Sequence, residues 1–65
     1  MKVHYFEETD TLYIELRSAK IAETRDLDEN TLLDLDSTGN LCAITIEHAS
    51  DRTDVHRVTV ESLAA

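Results

Sequence analysis

The sequence holds few of the residues that break or cross-link a small fold. Its 65 residues include no proline, no tryptophan, one glycine and one cysteine, and only Tyr5, Phe6 and Tyr13 are aromatic. The single cysteine, Cys42, excludes an internal disulfide. Because small secreted domains depend on disulfides and no secretory apolar segment is present, a reducing cytoplasm is the expected location. No apolar run is long enough to predict a membrane span.

Positive charge is also scarce. Six Lys and Arg side chains stand against fourteen Asp and Glu, which gives a formal net charge of −8. Such a charge repels a phosphate backbone, so nucleic acid is not an expected partner. The acidic residues are spread along the chain, which favours solvated sheet surfaces over a disordered acidic tail.

A single small domain, residues 1–65, lies near the lower size limit for independent folding. A chain this short buries only roughly 60% of the surface that it exposes when unfolded. Natural domains of this size supplement a core worth about 3–5 kcal/mol with disulfides, a metal or oligomerisation. Since the disulfide is excluded and no strong metal motif is present, we expect a homodimer.

What the chain does have is a two-residue alternation of apolar and polar side chains from Lys2 to His48. Leu12, Ile14 and Leu16, for example, alternate with polar neighbours, which is the period of a strand with one apolar side. The pattern predicts a mainly β fold, a small antiparallel β-meander of about five to six short strands. The predicted strands are residues 2–6, 12–17, 21–27, 32–35, 41–47 and 57–61. The third is mostly polar and is expected at an edge of the sheet, where charge discourages pairing with other chains.

The strongest turn signal lies between the fourth and fifth predicted strands, around the only glycine, Gly39. Glycine supplies the positive φ that a tight hairpin needs. We predict a four-residue loop, residues 36–39, with Asn40 opposite Leu35. A three-residue loop would shift the register by one and set Leu35 opposite Leu41.

The alternation also assigns side chains to the two faces of the sheet. One face is predicted to carry Leu33, Leu35, Cys42, Ile44 and Ile46, and the other Leu32, Leu41 and Ala43. If both faces are partly apolar, one packs internally and the other meets a partner, as exposed apolar patches usually do.

After His48 the alternation stops. Ser50, followed by the polar residues 51–54, predicts a helical turn near the C-terminus with Ser50 as its cap. Alternation then resumes, and Val58 and Val60 are expected on one side of a short last strand.

One segment resembles the front of a calcium-binding loop. Asp34, Asp36 and Gly39 match its first, third and sixth positions. However, Thr38 and Thr45 stand where a ligand and a bidentate glutamate are required, and the flanking segments are strands. We therefore favour an ordinary hairpin, and a weak divalent-cation site at Asp34 and Asp36 is the alternative.

The three histidines, His4, His48 and His56, lack the spacing of a metal motif. Zinc could still gather them from three strands, but surface or interface positions are the favoured interpretation. Ser50, with His48 and Asp51 close by in sequence, is not expected to act as a nucleophile, because sequence neighbours on an extended chain rarely converge.

No residue set predicts chemistry. Cys42 is expected to be inert in the core, since no basic neighbour lowers its pKa. The three aromatic rings lack a basic stripe and are expected to pack in the core or an interface. The sequence contains no phosphate loop, paired-cysteine motif or nucleophile elbow. We expect no enzyme, no catalytic residue, no metal and no cofactor.

Three blocks of the sequence resemble an uncharacterised prokaryotic family, domain of unknown function 2283. The blocks are Val3-His4-Tyr5 through Asp10-Thr11-Leu12-Tyr13-Ile14-Glu15-Leu16, then Ala22-Glu23-Thr24 with the acidic stretch to Glu29, and Leu33-Asp34-Leu35-Asp36 through Gly39-Asn40-Leu41 to Ile44-Thr45-Ile46-Glu47-His48-Ala49-Ser50. They cover about residues 1 to 50, and Ala43 stands where relatives often have glycine. The resemblance implies a compact β-rich unit without a known activity. Some relatives are encoded beside small toxin-like genes, which is an association and not a mechanism.

These observations favour a non-enzymatic protein-interaction module that self-associates. A second hypothesis is an acidic, antitoxin-like inhibitor of a basic partner such as a small ribonuclease, because acidic surfaces speed association with basic ones. The third is the weak cation binder at the Asp34 and Asp36 hairpin.

Overall fold

The fold is a single antiparallel sheet followed by one short helix. In the computed structural model, which describes residues 1–63, the strands are β1 (Lys2–Phe6), β2 (Thr11–Glu15), β3 (Glu23–Asp28), β4 (Thr31–Leu35) and β5 (Leu41–Glu47). A 3₁₀ helix, Ala49–Asp51, follows β5. The mainly β prediction and the helical turn near the C-terminus are therefore confirmed. Two strand ranges, β1 and β5, match their predictions residue for residue.

The strand order is β1-β2-β5-β4-β3, so the prediction of a simple meander is wrong. β3, β4 and β5 are joined by consecutive hairpins, and β2 pairs with β1 on one side and with β5 on the other. In strands β2 to β5, three hairpin-connected strands thus have the fourth, β2, beside the end strand that is farthest from it in sequence, which is a Greek key. The most apolar strand, β5, takes the centre because both of its neighbours can then bury it. β3, exposed along its whole length, lies at an edge, as predicted.

The connection between β2 and β3 crosses the end of the sheet. Leu16 and Arg17 both donate their backbone N–H to the carbonyl of Cys42, at 2.7 and 3.2 Å, and Ala22 donates to the carbonyl of Leu35 at 2.8 Å. These bonds satisfy the backbone of a segment that would otherwise leave polar groups unpaired over apolar residues. The crossing segment thereby closes the end of the sheet at which the β4–β5 turn lies.

The β4–β5 turn differs from the predicted four-residue loop. Asp36 and Asn40 face each other through a backbone hydrogen bond of 3.0 Å, and Leu35 lies opposite Leu41. The loop is therefore the three-residue alternative, a turn closed by Gly39 at φ 85°, which is a common hairpin connection.

A bulge next to this turn compensates for the one-residue shift in register that the shorter loop causes. The register shifts between Asp34 and Leu35, with Ala43 and Leu41 as their partners, so that Cys42 is the extra residue. Leu33 then lies opposite Ile44. The prediction that these two side chains share a face is confirmed, because directly opposed residues point to the same side. The bulge lets Leu33 and Ile44 share a face even though the loop is one residue shorter than predicted, and the alternation of the sequence does not reveal it.

The strand registers define the two faces of the sheet. We call the apolar face the side that carries Val3, Tyr5, Leu12, Ile14, Leu33, Ile44 and Ile46. The polar face is the side that carries Lys2, His4, Phe6, Tyr13, Glu15, Leu32, Asp34, Ala43 and Thr45. Leu32 and Ala43 therefore lie on the other side of the sheet from Leu33 and Ile44, as predicted. Leu41 was expected on that other side as well, but the bulge pairs it directly with Leu35, so these two share a side and that prediction is wrong.

Full burial is confined to a few side chains. The buried apolar residues of the described chain are Leu12, Leu35, Cys42, Ala43 and Ala49. The molecule measures 35 × 32 × 18 Å along its principal axes. Since packed sheets lie about 10 Å apart, this thickness fits one sheet with thin covering segments. The core is correspondingly small.

The predicted last strand is not formed. Residues 57–61 lie outside regular secondary structure and do not belong to the sheet. Pattern alone cannot make a strand, because its backbone groups need a partner edge. No helix among residues 1–63 has the length and apolar character needed to cross a membrane.

Candidate interaction surface

No second layer of secondary structure among residues 1–63 covers the apolar face. Ile14, Leu33, Ile44 and Ile46, which occupy the three central strands, are each only partly buried. A sheet face normally packs against another layer to exclude water from such side chains. The apolar face is thus the best candidate for a functional surface.

The segment after β5 is held at the edge of this face through the β1–β2 turn. Asp10 adopts a left-handed conformation, φ 52°, and its carboxylate accepts hydrogen bonds from the Tyr5 hydroxyl at 2.6 Å and the Ser50 hydroxyl at 2.7 Å. The Ser50 backbone N–H donates to the same carboxylate at 3.0 Å, and the Ala49 N–H donates to the Asp10 carbonyl at 2.9 Å. One aspartate therefore ties the first hairpin to residues forty positions away.

A second link reaches the β3–β4 turn. The guanidinium of Arg52 donates to the buried hydroxyl of Thr31 at 2.9 Å and forms an ion pair of 3.3 Å with Asp28. The Glu47 N–H donates to the carbonyl of Asn30 at 2.7 Å. The 3₁₀ helix and Arg52 thus bridge both hairpins at one end of the sheet.

These bonds shift the acidities of the groups involved. Hydrogen bonds from Tyr5 and then Ser50 lower the pKa of Asp10, while the Asp10 carboxylate raises the pKa of the Tyr5 hydroxyl that donates to it. The pKa of Asp28 is lowered, first by the Asn30 backbone N–H and then by Thr31 and Arg52. The lowered pKa values favour the ionised carboxylates of Asp10 and Asp28, and the raised pKa of Tyr5 favours the protonated hydroxyl that donates to Asp10.

The tail, residues 54–63, passes over the β1–β2 half of the apolar face. His56 meets the Tyr5 ring edge-on with centroids 5.8 Å apart, and Val55 is half-buried. A cleft of about 360 Å³ separates the tail from the face, with Val3, Leu12 and Ile14 at its floor. The cover is therefore loose.

The proposed calcium-loop residues serve the hairpin. The Asp36 carboxylate accepts from the backbone N–H groups of Thr38 and Asn40, both at 2.9 Å, and from both of their side chains. The Asn40 N–H, followed by Thr38, lowers the pKa of Asp36 to about 2. Asp34 accepts instead from the Thr24 hydroxyl of β3, at 2.8 Å. The two carboxylates are thus engaged by different partners, as turn and cross-strand acceptors.

The histidines are dispersed. His4 lies on the polar face, stacked on Phe6 with ring centroids 6.1 Å apart, whereas His56 contacts Tyr5 and His48 precedes the 3₁₀ helix at φ 53°. Among residues 1–63 no three His, Cys, Asp or Glu side chains are grouped so that they could hold a metal ion.

Ser50 does not cap the helical turn, and that prediction is wrong. The cap position belongs to His48, which makes no side-chain cap bond, and the Ser50 hydroxyl is engaged by Asp10 instead. Ser50 therefore lies inside the 3₁₀ helix and serves tertiary structure. The sequence shows a turn-forming aspartate at Asp10, but it does not show that Ser50 is the partner of that aspartate.

Cys42 is fully buried, as predicted, with its thiol 3.5 Å from the carbonyl of Asn40. The aromatic rings were expected to pack in the core or an interface. Tyr5 is partly buried and meets His56 edge-on, whereas Phe6 stacks on the exposed His4 at the surface and is not part of the core. Phe6 is about half exposed, at 51%. Its ring therefore contributes to the surface beside β1.

The sheet-forming part of the chain matches a protein-family model. The family model described as "Protein of unknown function (DUF2283)" matches residues 2–50, which contain all five strands. No curated protein and no solved structure matches the chain. The match covers well over half of the sequence and includes the three blocks that carry the resemblance. The chain therefore belongs to the family of proteins of unknown function DUF2283.

Proposed function

We propose that this protein is a non-enzymatic protein-interaction module whose first partner is a second copy of itself, bound through the apolar face. The proposal depends chiefly on surface area. The chain exposes 5082 Å², whereas a folded monomer of its mass is expected to expose about 4,200 Å². The excess of roughly 900 Å² is close to the 800 Å² that each partner buries in a standard interface.

The shape of the molecule supports the same conclusion. Its radius of gyration is 12.8 Å, against about 10.7 Å for a compact domain of this length. A second copy placed on the apolar face would supply the missing layer and bury Leu33, Ile44 and Ile46, which are only partly buried in one copy. Uncharged side chains dominate this face, so two copies of a chain with a net charge of −8 can approach there with least repulsion.

Sedimentation equilibrium over a wide concentration range tests the proposal, with dimers expected to dissociate on dilution. Ile46→Thr keeps a β-branched side chain but removes apolar area from the interface, and it should weaken association. Thr45→Val changes the polar face next to it and serves as the matched control. A protein that stays monomeric at every concentration would refute the proposal.

A second candidate is the inhibitor of a basic partner, and the ion-pair pattern favours it. Each of the four arginines, Arg17, Arg25, Arg52 and Arg57, lies within 4 Å of an acidic side chain of this chain. The internal pairs thus engage most of the positive charge, and a negative field is left for a basic protein such as a small ribonuclease. Affinity capture at low and high salt tests this candidate, which requires a basic protein that is released as salt rises.

A further inference from the structure

The two edges of the sheet are unequally protected. β3 is exposed along its length, carries Glu23, Arg25, Asp26 and Asp28, and contains a register irregularity near Asp28. Charges and bulges of this kind keep other strands from pairing at an edge. β1 pairs with β2 in an unbroken five-residue register and contains no proline. β1 is therefore the edge that can accept a further strand.

The tail contains a segment with strand character and no strand partner. Residues 57–61 alternate Val58 and Val60 with polar neighbours, and both valines are largely exposed, at 60% and 78%. β-branched residues in alternation fit a pleated, half-buried surface. The pattern that predicted a strand and the open edge of β1 thus complement each other.

One antiparallel register matches the two segments at all five positions. Glu61 would lie opposite Lys2, Val60 opposite Val3, Thr59 opposite His4, Val58 opposite Tyr5 and Arg57 opposite Phe6. Both valines then join the apolar face, Glu61 meets a lysine, and Arg57 meets an aromatic ring. A parallel arrangement would instead place Arg57 beside Lys2. Shifting the antiparallel pairing by two residues would separate Glu61 from Lys2 and so remove the contact between opposite charges.

The tail approaches β1 within its own molecule but does not pair with it. His56 packs against Tyr5, and Val58 and Val60 line a cleft together with Val3. Among residues 1–63, however, no backbone hydrogen bond joins the tail to β1. The open edge is consequently available to the tail of another copy.

We propose that residues 57–61 of one copy add to β1 of a second copy as an antiparallel sixth strand. This inference depends on the proposed self-association and specifies the segment that is exchanged. Strand addition supplies backbone hydrogen bonds for affinity, and the side-chain register supplies specificity. The exchange would join the two copies reciprocally, since each offers one tail and one β1 edge.

Disulfide trapping tests the register directly. His4 and Thr59 are both exposed, so His4→Cys and Thr59→Cys should leave the fold intact, and Cys42 is fully buried. Directly opposed residues have Cα atoms about 4.5–5.5 Å apart, within reach of a disulfide. When the two single variants are mixed under mild oxidation, the mixed dimer should form about ten-fold faster than with Tyr13→Cys, which lies one strand farther away and beyond reach.

Each alternative gives a different product. His4→Cys alone forming dimers would show that two β1 strands pair with each other. A monomeric double variant, His4→Cys with Thr59→Cys, that closes on itself even at high dilution would place the tail on its own β1. Either outcome, or no cross-link between the mixed variants, overturns the exchange. Sedimentation of the unmodified protein decides separately whether self-association itself stands.

Discussion

The two hairpin turns that each depend on one aspartate differ in how far that aspartate reaches. In the β4–β5 turn, the Asp36 carboxylate accepts hydrogen bonds from Thr38 and Asn40, within four residues, and its contact with the more distant Arg17 is a long ion pair of 3.8 Å. In the β1–β2 turn, Asp10 bonds with Tyr5 and with Ser50, forty residues away. Each turn also contains one positive φ, at Gly39 and at Asp10. The hydrogen bonds of the β4–β5 turn are therefore local, whereas those of the β1–β2 turn are completed only when the distant part of the chain has folded against it.

The largest expected effect comes from truncating the buried leucines next to the two turns, which tests packing separately from the polar links. Leu12 follows the β1–β2 turn and Leu35 precedes the β4–β5 turn, and their exposed fractions are nearly equal, 7% and 8%. Leu12→Ala and Leu35→Ala should each lower the free energy of unfolding by about 2–5 kcal/mol, because both leave a cavity in a small core. Chemical denaturation measures both. A large inequality between them would show that the two turns differ through packing and not through their polar links.

Replacing the aspartates themselves sharpens the comparison. Asp10→Ala should lower the unfolding midpoint more than Asp36→Ala, because it disconnects two distant segments and places alanine at a positive φ. Amide hydrogen exchange gives the pattern: Asp10→Ala should speed exchange at Ala49 and Ser50, and Asp36→Ala only within its own turn. Faster exchange at Ser50 in Asp36→Ala would contradict the distinction.

The next effect concerns Gly39. No atom beyond its chain neighbours lies within 4 Å of a Cβ built there, but its φ is +85°. Gly39→Val should therefore cost about 1–2 kcal/mol through backbone strain alone. Gly39→Asn, the matched variant, should cost less because asparagine tolerates the left-handed region. Equal losses in thermal unfolding would mean that a steric contact and not φ sets the cost.

Part of the fold could be predicted from the sequence. Alternation predicted the five strands that formed and the shared face of Leu33 and Ile44, since both follow from local side-chain direction. The order of strands was predicted wrongly, as a meander, because the pairing of β2 with β5 joins segments that are far apart in sequence. The bulge at Cys42 was not predicted either, because one extra residue in a strand does not change the composition of the sequence. Residues 57–61 have strand pattern without a partner, and pattern cannot supply one.

The candidate surface was predicted in part for the same reason. The apolar side chains were assigned to faces from the sequence, but the links that hold the tail over them were not. Asp10 is a common turn residue because its side chain can bond backbone amides, and the amide that it bonds here is that of the distant Ser50. The partner of a turn aspartate depends on tertiary structure whenever local amides are turned away.

Acidification should affect stability through the same carboxylates. The pKa of Asp36 is lowered to about 2 in the folded protein, and the pKa values of Asp10 and Asp28 are lowered as well. A carboxylate with a lowered folded pKa stabilises fully above its unfolded pKa, near 4, and loses that contribution as the pH falls towards the folded value. Stability should therefore decline between about pH 4 and pH 2. Asp36→Asn should flatten part of this decline, which acid titration followed by circular dichroism measures; an unchanged slope would contradict the assignment.

The smallest expected effect is at the second link of the 3₁₀ helix. Arg52→Lys keeps the charge but loses the planar fork that reaches both Thr31 and Asp28. Because the pair is about half exposed, the loss should stay below about 1 kcal/mol. Arg57→Lys, whose partner Asp54 belongs to the tail, is the control and should be neutral. A larger loss for Arg52→Lys would make this link equal in importance to that of Asp10.

The contrast between the charged, irregular β3 border and the regular β1 border limits how such a sheet can grow. Extension would be possible on one side only, and a reciprocal exchange of tails would occupy that border in both copies, so that neither a free tail nor a free β1 border would remain to recruit a third copy. A chain that is apolar enough to associate would thereby form small closed assemblies and not fibres.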